Sequence, residues 1–207
     1  MKLMITILML AFCASGAMAQ QTLTYGWEDG VATTLGVYGD VDEQMNVNDF
    51  SHTGDHSLYL TEIDTGTGTP QAFVAWIAGL QDGDEVTVSF WGWDDTPGAS
   101  PSTRIWGSYS SDDITDYQGS AGGNGDYTDG SGWSEVAWTW TVDLASDPDR
   151  TALVIQARLY SADPSVDIFY IDDVTVTAPD HAQIFFPNQD PVGTEYSTFG
   201  GVKALYR

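Results

Sequence analysis

Two segments of the chain alternate between apolar residues and aromatic, amide or guanidinium residues, as β-strands with two different faces do. The residues of the second kind are Trp91, Trp93, Gln156, Arg158 and Tyr160. They offer the chemistry of a sugar-binding face, because the C–H face of a pyranose stacks on flat rings while planar polar groups bond its hydroxyls. Arg104 and Trp106 share parity in a third segment, and we expect them to extend the same face.

A simpler interpretation of these residues stays open at this point. In it, Arg158 pairs with a carboxylate and Trp91 only covers the surface of a sheet. A long glycine-rich segment has three aromatic residues in or beside it, Tyr117, Tyr127 and Trp133, which either rim a cleft or merely anchor a loop. The sequence alone does not decide between a binding face and a passive one.

The sequence gives little evidence of a catalytic site. It contains three histidines, no serine nucleophile elbow and no HExxH-type metal motif. A glycosidase would need two carboxylates at a defined separation, and with thirty acidic residues any pair could be nominated, so none is. We therefore expect a protein that binds a ligand without catalysing a reaction.

The composition is strongly acidic. The 207 residues include 30 Asp plus Glu against six Lys plus Arg, for a formal net charge of −24. This charge argues against nucleic acid and anionic membrane surfaces as partners, because both would be repelled. A hydrophobic content of 42% supports a packed core and excludes wholesale disorder. The acidity also fits adaptation to a saline habitat.

Residues 1–19 are typical of a signal peptide. Lys2 supplies the positive start, residues 4–13 are apolar, and Ala17-Met18-Ala19 is a small-x-small cleavage site. The apolar run is too short to anchor the chain across a bilayer. A lipoprotein signal built on Cys13 is the alternative, but that signal normally has a small residue where Phe12 stands. We expect a secreted or cell-surface protein whose mature chain lacks cysteine.

The rest of the chain is predicted to be all-β. Short alternating runs are separated by clusters of Gly, Ser, Thr, Asn and Asp, and no segment of helical length keeps a 3.6-residue period. The runs cover residues 57–61, 73–77, 85–93, 135–142, 152–160 and 166–177. So many strands in one domain predict a two-sheet antiparallel β-sandwich (jelly roll) over residues 20–178.

Four segments resemble, in order, motifs of the jelly-roll carbohydrate-binding modules of families 4, 9, 16 and 22, a galactose-binding-like β-sandwich group. Residues 26–30, Gly-Trp-Glu-Asp-Gly, are similar to its opening Gly-Phe-Glu motif, and residues 53–60 to its Ser-Gly-x-x-Ser-Leu strand. Residues 80–91 resemble its Leu-x-x-Gly…Ser-Phe-Trp segment, and residues 169–176 its closing Tyr-Ile-Asp-Asp-Val strand. The resemblance implies a secreted, non-catalytic module that binds a polysaccharide or oligosaccharide.

In that family the first and last motifs often meet at a calcium ion remote from the sugar. The resemblance maps this ion onto the Gly26 carbonyl, the carboxylates of Glu28 and Asp172, and backbone oxygens near Asp55. Asp172 shares strand parity with Tyr170, Val174 and Val176 and is predicted to point inward, where an unpaired carboxylate is costly and a structural Ca²⁺ would remove the cost. In the alternative, Asp172 accepts backbone hydrogen bonds and no metal is bound.

Residues 179–207 form a C-terminal tail that the sequence predicts to lie outside the jelly roll. The tail contains an apolar Ile-Phe-Phe-Pro stretch at 184–187 and ends with Lys203 and Arg207, which stand out on so acidic a chain. It is interpreted either as a sorting or cell-surface attachment segment or as an extra edge strand of the domain. It is too short and polar to cross a membrane.

These observations predict a secreted carbohydrate-binding protein without catalytic activity. The alternative is a structural or adhesive cell-surface protein that uses the same scaffold for protein contacts. A third hypothesis, a small glycan-active hydrolase or lyase, would require a deep cleft with paired carboxylates.

Overall fold

The computed structural model describes residues 19–63, 68–94, 103–127, 132–160 and 166–189. Their strands are β1 Gln20–Tyr25, β2 Gly36–Tyr38, β3 Val41–Val47, β4 Ser57–Ile63, β5 Gln71–Ala78, β6 Glu85–Asp94, β7 Thr103–Ser110, β8 Tyr117–Asp126, β9 Ser134–Thr141, β10 Ala152–Leu159, β11 Val166–Pro179 and β12 Gln183–Phe185. Within these ranges no helix is long and apolar enough to cross a membrane. Apart from Ala19, the predicted signal peptide lies outside the described residues.

The strands form two antiparallel sheets, which confirms the predicted β-sandwich. The first sheet has the order β3-β4-β11-β6-β9, with β1 paired to β11. The second sheet has the order β12-β5-β10-β7-β8, with β2 paired to β5. Consecutive strands often lie in different sheets, so the chain crosses repeatedly between the two layers. The long strand β11 pairs with β4 through its first half and with β1 through its second half.

The core lies between the sheets and is filled by alternate residues of their strands. Val86, Val88 and Phe90 of β6 are buried, as are Leu153 and Ile155 of β10. These are the residues whose alternation predicted an inward face, and the prediction is confirmed. Because each such side chain contributes about 1.5–3 kcal/mol when fully buried, their alternation also fixes the register of the sheets.

Strand β8 carries glycine where it approaches other backbones closely. A Cβ at Gly125 would lie 2.3 Å from the carbonyl oxygen of Ala137, which belongs to β9 in the other sheet. A Cβ at Gly123 would lie 2.4 Å from the carbonyl oxygen of Ile105 in the neighbouring strand β7. No side chain fits at these distances, so the glycine-rich sequence allows β8 to close one edge of the sandwich.

The sandwich extends beyond residue 178, where the sequence predicted its end. Strand β12 adds to the edge of the second sheet by pairing with β5, and Ile184 and Phe186 are buried in the core. The Phe186 ring stacks on Tyr25 with centroids 5.5 Å apart, and His181 Nε2 lies 3.0 Å from Asp84 Oδ2. Of the two interpretations of the tail, the extra edge strand therefore describes its first part, residues 179–189, which belongs to the fold. Residues 190–207 lie outside the described part of the chain.

Candidate functional site

A cleft of about 550 Å³ crosses the outer face of the second sheet. Its floor is made by β5, β10 and β7, which lie side by side in the sheet. One wall is β2 with the residue before it, and the other is the loop 111–116 together with the first residue of β8. The lining residues are Leu35, Gly36, Val37, Tyr38, Gln71, Phe73, Ser108, Tyr109, Ile114, Thr115, Tyr117, Gln156 and Arg158.

Two tyrosines on opposite walls give the cleft its exposed aromatic surface. Tyr38 ends β2 and is 58% exposed, and Tyr117 begins β8 and is 66% exposed. Exposed tyrosine rings offer flat apolar surfaces on which a sugar ring can stack. Phe73 adds a partly buried ring to the floor. The cleft can therefore hold a ligand that has flat apolar faces.

Gln156 supplies an unused hydrogen-bond acceptor at the floor. Its side chain is only 2% exposed, and Nε2 donates to Ser108 Oγ at 2.8 Å. Its other amide atom, Oε1, has no hydrogen-bond partner among the described residues. Leaving such an acceptor buried and unpaired costs about 1–3 kcal/mol. A ligand hydroxyl or an ordered water that donates to Oε1 would remove this cost.

Arg158 provides a cation beside that acceptor. Its guanidinium lies over the Trp106 ring, 4.1 Å from the ring centroid, and Trp106 Nε1 in turn donates to Ser120 Oγ at 2.9 Å. Partial burial lowers the pKa of Arg158, while the hydroxyl groups of Tyr160 and Tyr117 act in the opposite direction. The group remains charged at neutral pH, because an arginine pKa starts above 12.

Five of the seven predicted ligand residues lie on this sheet. Gln156 and Arg158 line the cleft, and Trp106 lies beneath Arg158. Arg104 pairs with Asp126, its Nε 2.7 Å from Oδ1, and lies 5.2 Å from the Tyr160 ring centroid. Arg104, Trp106 and Tyr160 are therefore next to the cleft without lining it. For Arg104 the simpler interpretation, pairing with a carboxylate, describes its observed contact.

Trp91 and Trp93 lie on the opposite side of the molecule, so the prediction of one shared face is wrong. Both belong to β6, in the first sheet, whereas β7 and β10 belong to the second. Alternation along a strand assigns side chains to the inner or outer face of its own sheet, but it does not say which sheet that is. In a sandwich the outer faces of the two sheets point in opposite directions.

Trp91 and Trp93 instead belong to an aromatic cluster on the first sheet. His52 stacks on Trp91 with ring centroids 3.9 Å apart, and the Phe50 ring packs edge-on to Trp93 at 5.0 Å. Trp133 stacks on Phe50 at 5.3 Å. These rings are partly buried against one another. Much of their apolar surface is thereby satisfied without a ligand.

Three residues that line the cleft were not predicted as ligand residues from the sequence: Tyr38, Gln71 and Phe73. Gln71 and Phe73 alternate with the buried Ala72 and Val74, but a polar or aromatic residue on one strand says little without its neighbours. The β5–β10 ladder supplies that information, because it places Gln71 opposite Arg158 and Phe73 opposite Gln156. Register across strands is the signal that would have found them.

The four predicted metal-site residues gather around the loop 51–56. The Glu28 carboxylate accepts the backbone N–H groups of Asp55 at 3.0 Å and of His56 at 3.1 Å. A Cβ at Gly26 would lie 3.2 Å from Asp172 Oδ1, so the Gly26 backbone packs against that carboxylate. The strand order thus brings the first and last motifs together, as the resemblance implied.

Asp172 is fully buried and strongly hydrogen-bonded. Its Oδ2 accepts the backbone N–H groups of His52 and Thr53 at 2.8 and 3.2 Å, and its Oδ1 accepts that of Asp173 at 2.7 Å. Burial raises the pKa of Asp172 to about 6 despite these hydrogen bonds. The prediction that Asp172 points into the core is wrong: β11 becomes irregular only after Asp172, which stands opposite Trp91 on the outer face of the first sheet, where the loop 51–56 buries it.

Carboxylates and backbone carbonyls are hard oxygen ligands that suit Ca²⁺. Within the described ranges no three Asp, Glu, His or Cys side chains converge closely enough to hold a metal ion. A cation bound by Glu28 and Asp172 would therefore depend on backbone oxygens, such as that of Gly26, for its remaining ligands. This donor set is compatible with calcium and unsuited to softer metals.

Comparison with solved structures identifies the fold. The chain is similar to the CBM22-1 xylan-binding domain of Paenibacillus barcinonensis Xyn10C, with a TM-score of 0.50 and 14% sequence identity over 79% of this chain and 97% of that domain. It is also similar to the CBM22-1-CBM22-2 tandem domain of the same protein, with a TM-score of 0.51 and 15% identity over 80% of this chain and 48% of the tandem. Neither protein-family models nor curated proteins give a match.

The similarity establishes the class of fold. This chain has the β-sandwich fold of carbohydrate-binding modules, as the four sequence motifs implied. At this level of identity the comparison reports the scaffold, and the ligand has to be argued from the cleft itself.

Proposed function

We propose that this protein is a non-catalytic carbohydrate-binding module that holds an oligosaccharide or polysaccharide chain in the cleft of the second sheet. The unpaired Oε1 of Gln156 carries the proposal, because it is a buried acceptor at the floor of a cleft whose walls bear two exposed tyrosines. A sugar chain meets both requirements: its C–H faces stack on Tyr38 and Tyr117, and its hydroxyls donate to Gln156.

The composition of the cleft favours binding over catalysis. None of the described residues that line it is Asp, Glu, His or Cys. A glycosidase would need two carboxylates flanking the scissile bond, and these residues do not provide them. The lining is apolar and amphipathic, which suits reversible holding of a ligand.

Titration calorimetry with a panel of neutral oligosaccharides, xylo-, gluco- and manno-hexaoses, tests the proposal. We expect one class to bind and Tyr117→Ala to weaken its binding about tenfold, which corresponds to about 1.4 kcal/mol of lost stacking. Trp138→Ala is the matched control, because Trp138 is an exposed aromatic residue, 38% accessible, on the first sheet. The Trp138→Ala variant should bind the same oligosaccharide as tightly as the unmodified protein does.

Trp93→Ala distinguishes the two faces in the same assay. If this variant, and not Tyr117→Ala, loses binding while folding stays intact, the sugar site lies on the aromatic cluster of the first sheet. Absence of binding to every glycan would favour the second candidate function, an adhesive protein. The partly buried cluster of Phe50, Trp93 and Trp133 supports that candidate, since aromatic residues are enriched in protein interfaces.

We also propose that a structural Ca²⁺ binds between Glu28 and Asp172. A cation there would compensate two carboxylates, one of them fully buried, and tie the segment after β1 to β11. Thermal unfolding in 1 mM CaCl₂ and in EGTA tests it: the calcium-loaded protein should melt higher, and Asp172→Asn should abolish the difference. An equal melting temperature in both buffers would refute the ion and leave the sugar site unaffected.

We propose that the protein is exported, and this proposal rests only on the signal-peptide pattern of residues 1–19. The test is amino-terminal sequencing of the protein recovered outside the producing cells, which should begin at Gln20. A mature chain beginning at Cys13 with a lipid attached would instead support the lipoprotein alternative.

A further inference from the structure

We infer that the cleft is selective for a glycan bearing isolated carboxylates, with the uronic acid carboxylate bound by Arg158. This inference rests on the proposed function and specifies its ligand. Arg158 is the only charged side chain among the described residues that line the cleft.

The other two arginines of the described ranges are already engaged. Arg104 forms an ion pair with Asp126, Nε to Oδ1 at 2.7 Å. Arg150 donates from Nε to the Gln118 carbonyl at 3.0 Å and from Nη1 to Ser146 Oγ at 2.6 Å. For Arg158 the described residues show no ion pair: its guanidinium lies over the Trp106 ring and hydrogen-bonds the side chain of Tyr160, a hydroxyl rather than a carboxylate.

A lone guanidinium is unexpected on this chain. Acidic residues outnumber basic ones by 30 to six, so a cation whose role is structural has many potential partners. Partial burial also penalises its charge, since the pKa of Arg158 is lowered mainly by desolvation. The charge is retained at a place where only a ligand could compensate it.

The geometry suits a carboxylate. The Arg158 guanidinium lies 4.1 Å from the Trp106 ring centroid, and the guanidinium is planar, so its donors match the two oxygens of a planar carboxylate. Hydrogen bonds between ionised groups are roughly twice as strong as those between neutral groups. Gln156 lies two residues before Arg158 on β10, and its unpaired Oε1 would accept a hydroxyl of the same uronic acid residue.

The surrounding charge limits how acidic the ligand can be. The wall loop carries Asp112, Asp113 and Asp116, of which Asp112 accepts the Thr151 hydroxyl and Asp113 accepts the Thr115 hydroxyl, each at 2.8 Å. These carboxylates would repel a polymer charged at every residue more strongly than a ligand with a single carboxylate, because the repulsion grows with the number of like charges. A neutral backbone with occasional uronic acids meets both conditions.

The experiment compares two probes that differ only in charge: xylo-oligosaccharides carrying one glucuronic acid, and the same oligosaccharides after reduction of the carboxyl to an alcohol. Calorimetry should show that the unmodified protein binds the acidic probe about tenfold more tightly in 50 mM NaCl, with the preference shrinking in 500 mM NaCl. Arg158→Gln should bind both probes equally. Arg158→Lys, which keeps the charge but loses the planar fork, should keep a smaller preference.

Gln183→Glu is the matched control, because it makes the same change of one unit in net charge on the exposed edge strand β12. It should retain the full preference. Equal affinity of the unmodified protein for both probes would overturn this inference while leaving carbohydrate binding in place. Binding of neither probe, nor of any neutral hexaose, would overturn the proposed function as well. A preference that survives in Arg158→Gln would overturn the role of Arg158.

Discussion

At the scale of single residues, the cleft keeps polar groups where an apolar core would be more stable. Gln156 and Ser108 form a buried pair, Nε2 to Oγ at 2.8 Å, and leave one acceptor unsatisfied. Buried polar groups that are only partly satisfied cost stability, and they persist where a function requires them. Substituting both residues therefore tests their effect on stability separately from their effect on ligand binding.

Replacing both partners, Ser108→Ala with Gln156→Leu, should leave the free energy of unfolding unchanged within about 1 kcal/mol or raise it, because two mutually bonded polar groups are exchanged together for apolar ones. Binding of the oligosaccharide identified for the cleft should fall at least tenfold. Urea unfolding and calorimetry on the same preparations measure the two effects. A loss of more than about 2 kcal/mol in stability would show that the pair is structural.

The alternation of residue types along β10 pointed to Gln156 and Arg158, because both alternate with buried apolar residues of that strand. It could not separate them from Trp91 and Trp93, whose strand has the same pattern but lies in the other sheet. Tyr38 could not be predicted as a site residue for a different reason: β2 is only three residues long, which is too short to show an alternation of apolar and polar residues. The sheet a strand joins depends on long-range pairing, which no local pattern contains.

At the scale of elements, the glycines of β8 allow this strand of the second sheet to pack closely against β9 of the first sheet. Gly125→Ala should destabilise the protein by about 1–3 kcal/mol, since its Cβ would lie 2.3 Å from a backbone oxygen that cannot move without displacing β9. Gly92→Ala in β6 is the control, because a Cβ there meets its nearest neighbour at 3.7 Å, an ordinary contact. Similar denaturation midpoints for both variants would contradict the close approach.

The added edge strand β12 makes a second prediction at this scale. Phe186 is 4% exposed and stacks on Tyr25, so Phe186→Ala should cost about 3 kcal/mol of stability by opening a cavity. Gln183→Ala, an exposed change on the same strand, should cost little. If the two variants unfold alike, residues 183–186 do not contribute to the core. The apolar stretch at 184–187 was visible in the sequence, but its docking partner was not.

At the scale of the whole molecule, the fold was predictable because many weak signals agreed on it. Alternation placed Phe90, Leu153 and their neighbours in the core, and the resemblance implied that the first and last motifs meet, as Gly26 and Asp172 do. Net charge is the property that neither the core nor the cleft explains. It acts on the molecule as a whole, through repulsion among acids spread over its surface.

That repulsion predicts a stability that rises with salt. Screening by 300 mM NaCl shortens the range of charge interactions to well under 10 Å, which relieves repulsion in the folded state more than in the expanded unfolded chain. With a formal net charge of −24, the melting temperature in EGTA should rise by about 5 °C between 10 and 300 mM NaCl, equivalent to about 1–2 kcal/mol. A variant with three exposed acids neutralised, Asp42→Asn, Glu85→Gln and Glu135→Gln, should show a smaller rise and a higher starting value. Since these positions lie on the first sheet, its glycan affinity should stay the same, so a loss of binding would mean that the two faces of the sandwich are coupled.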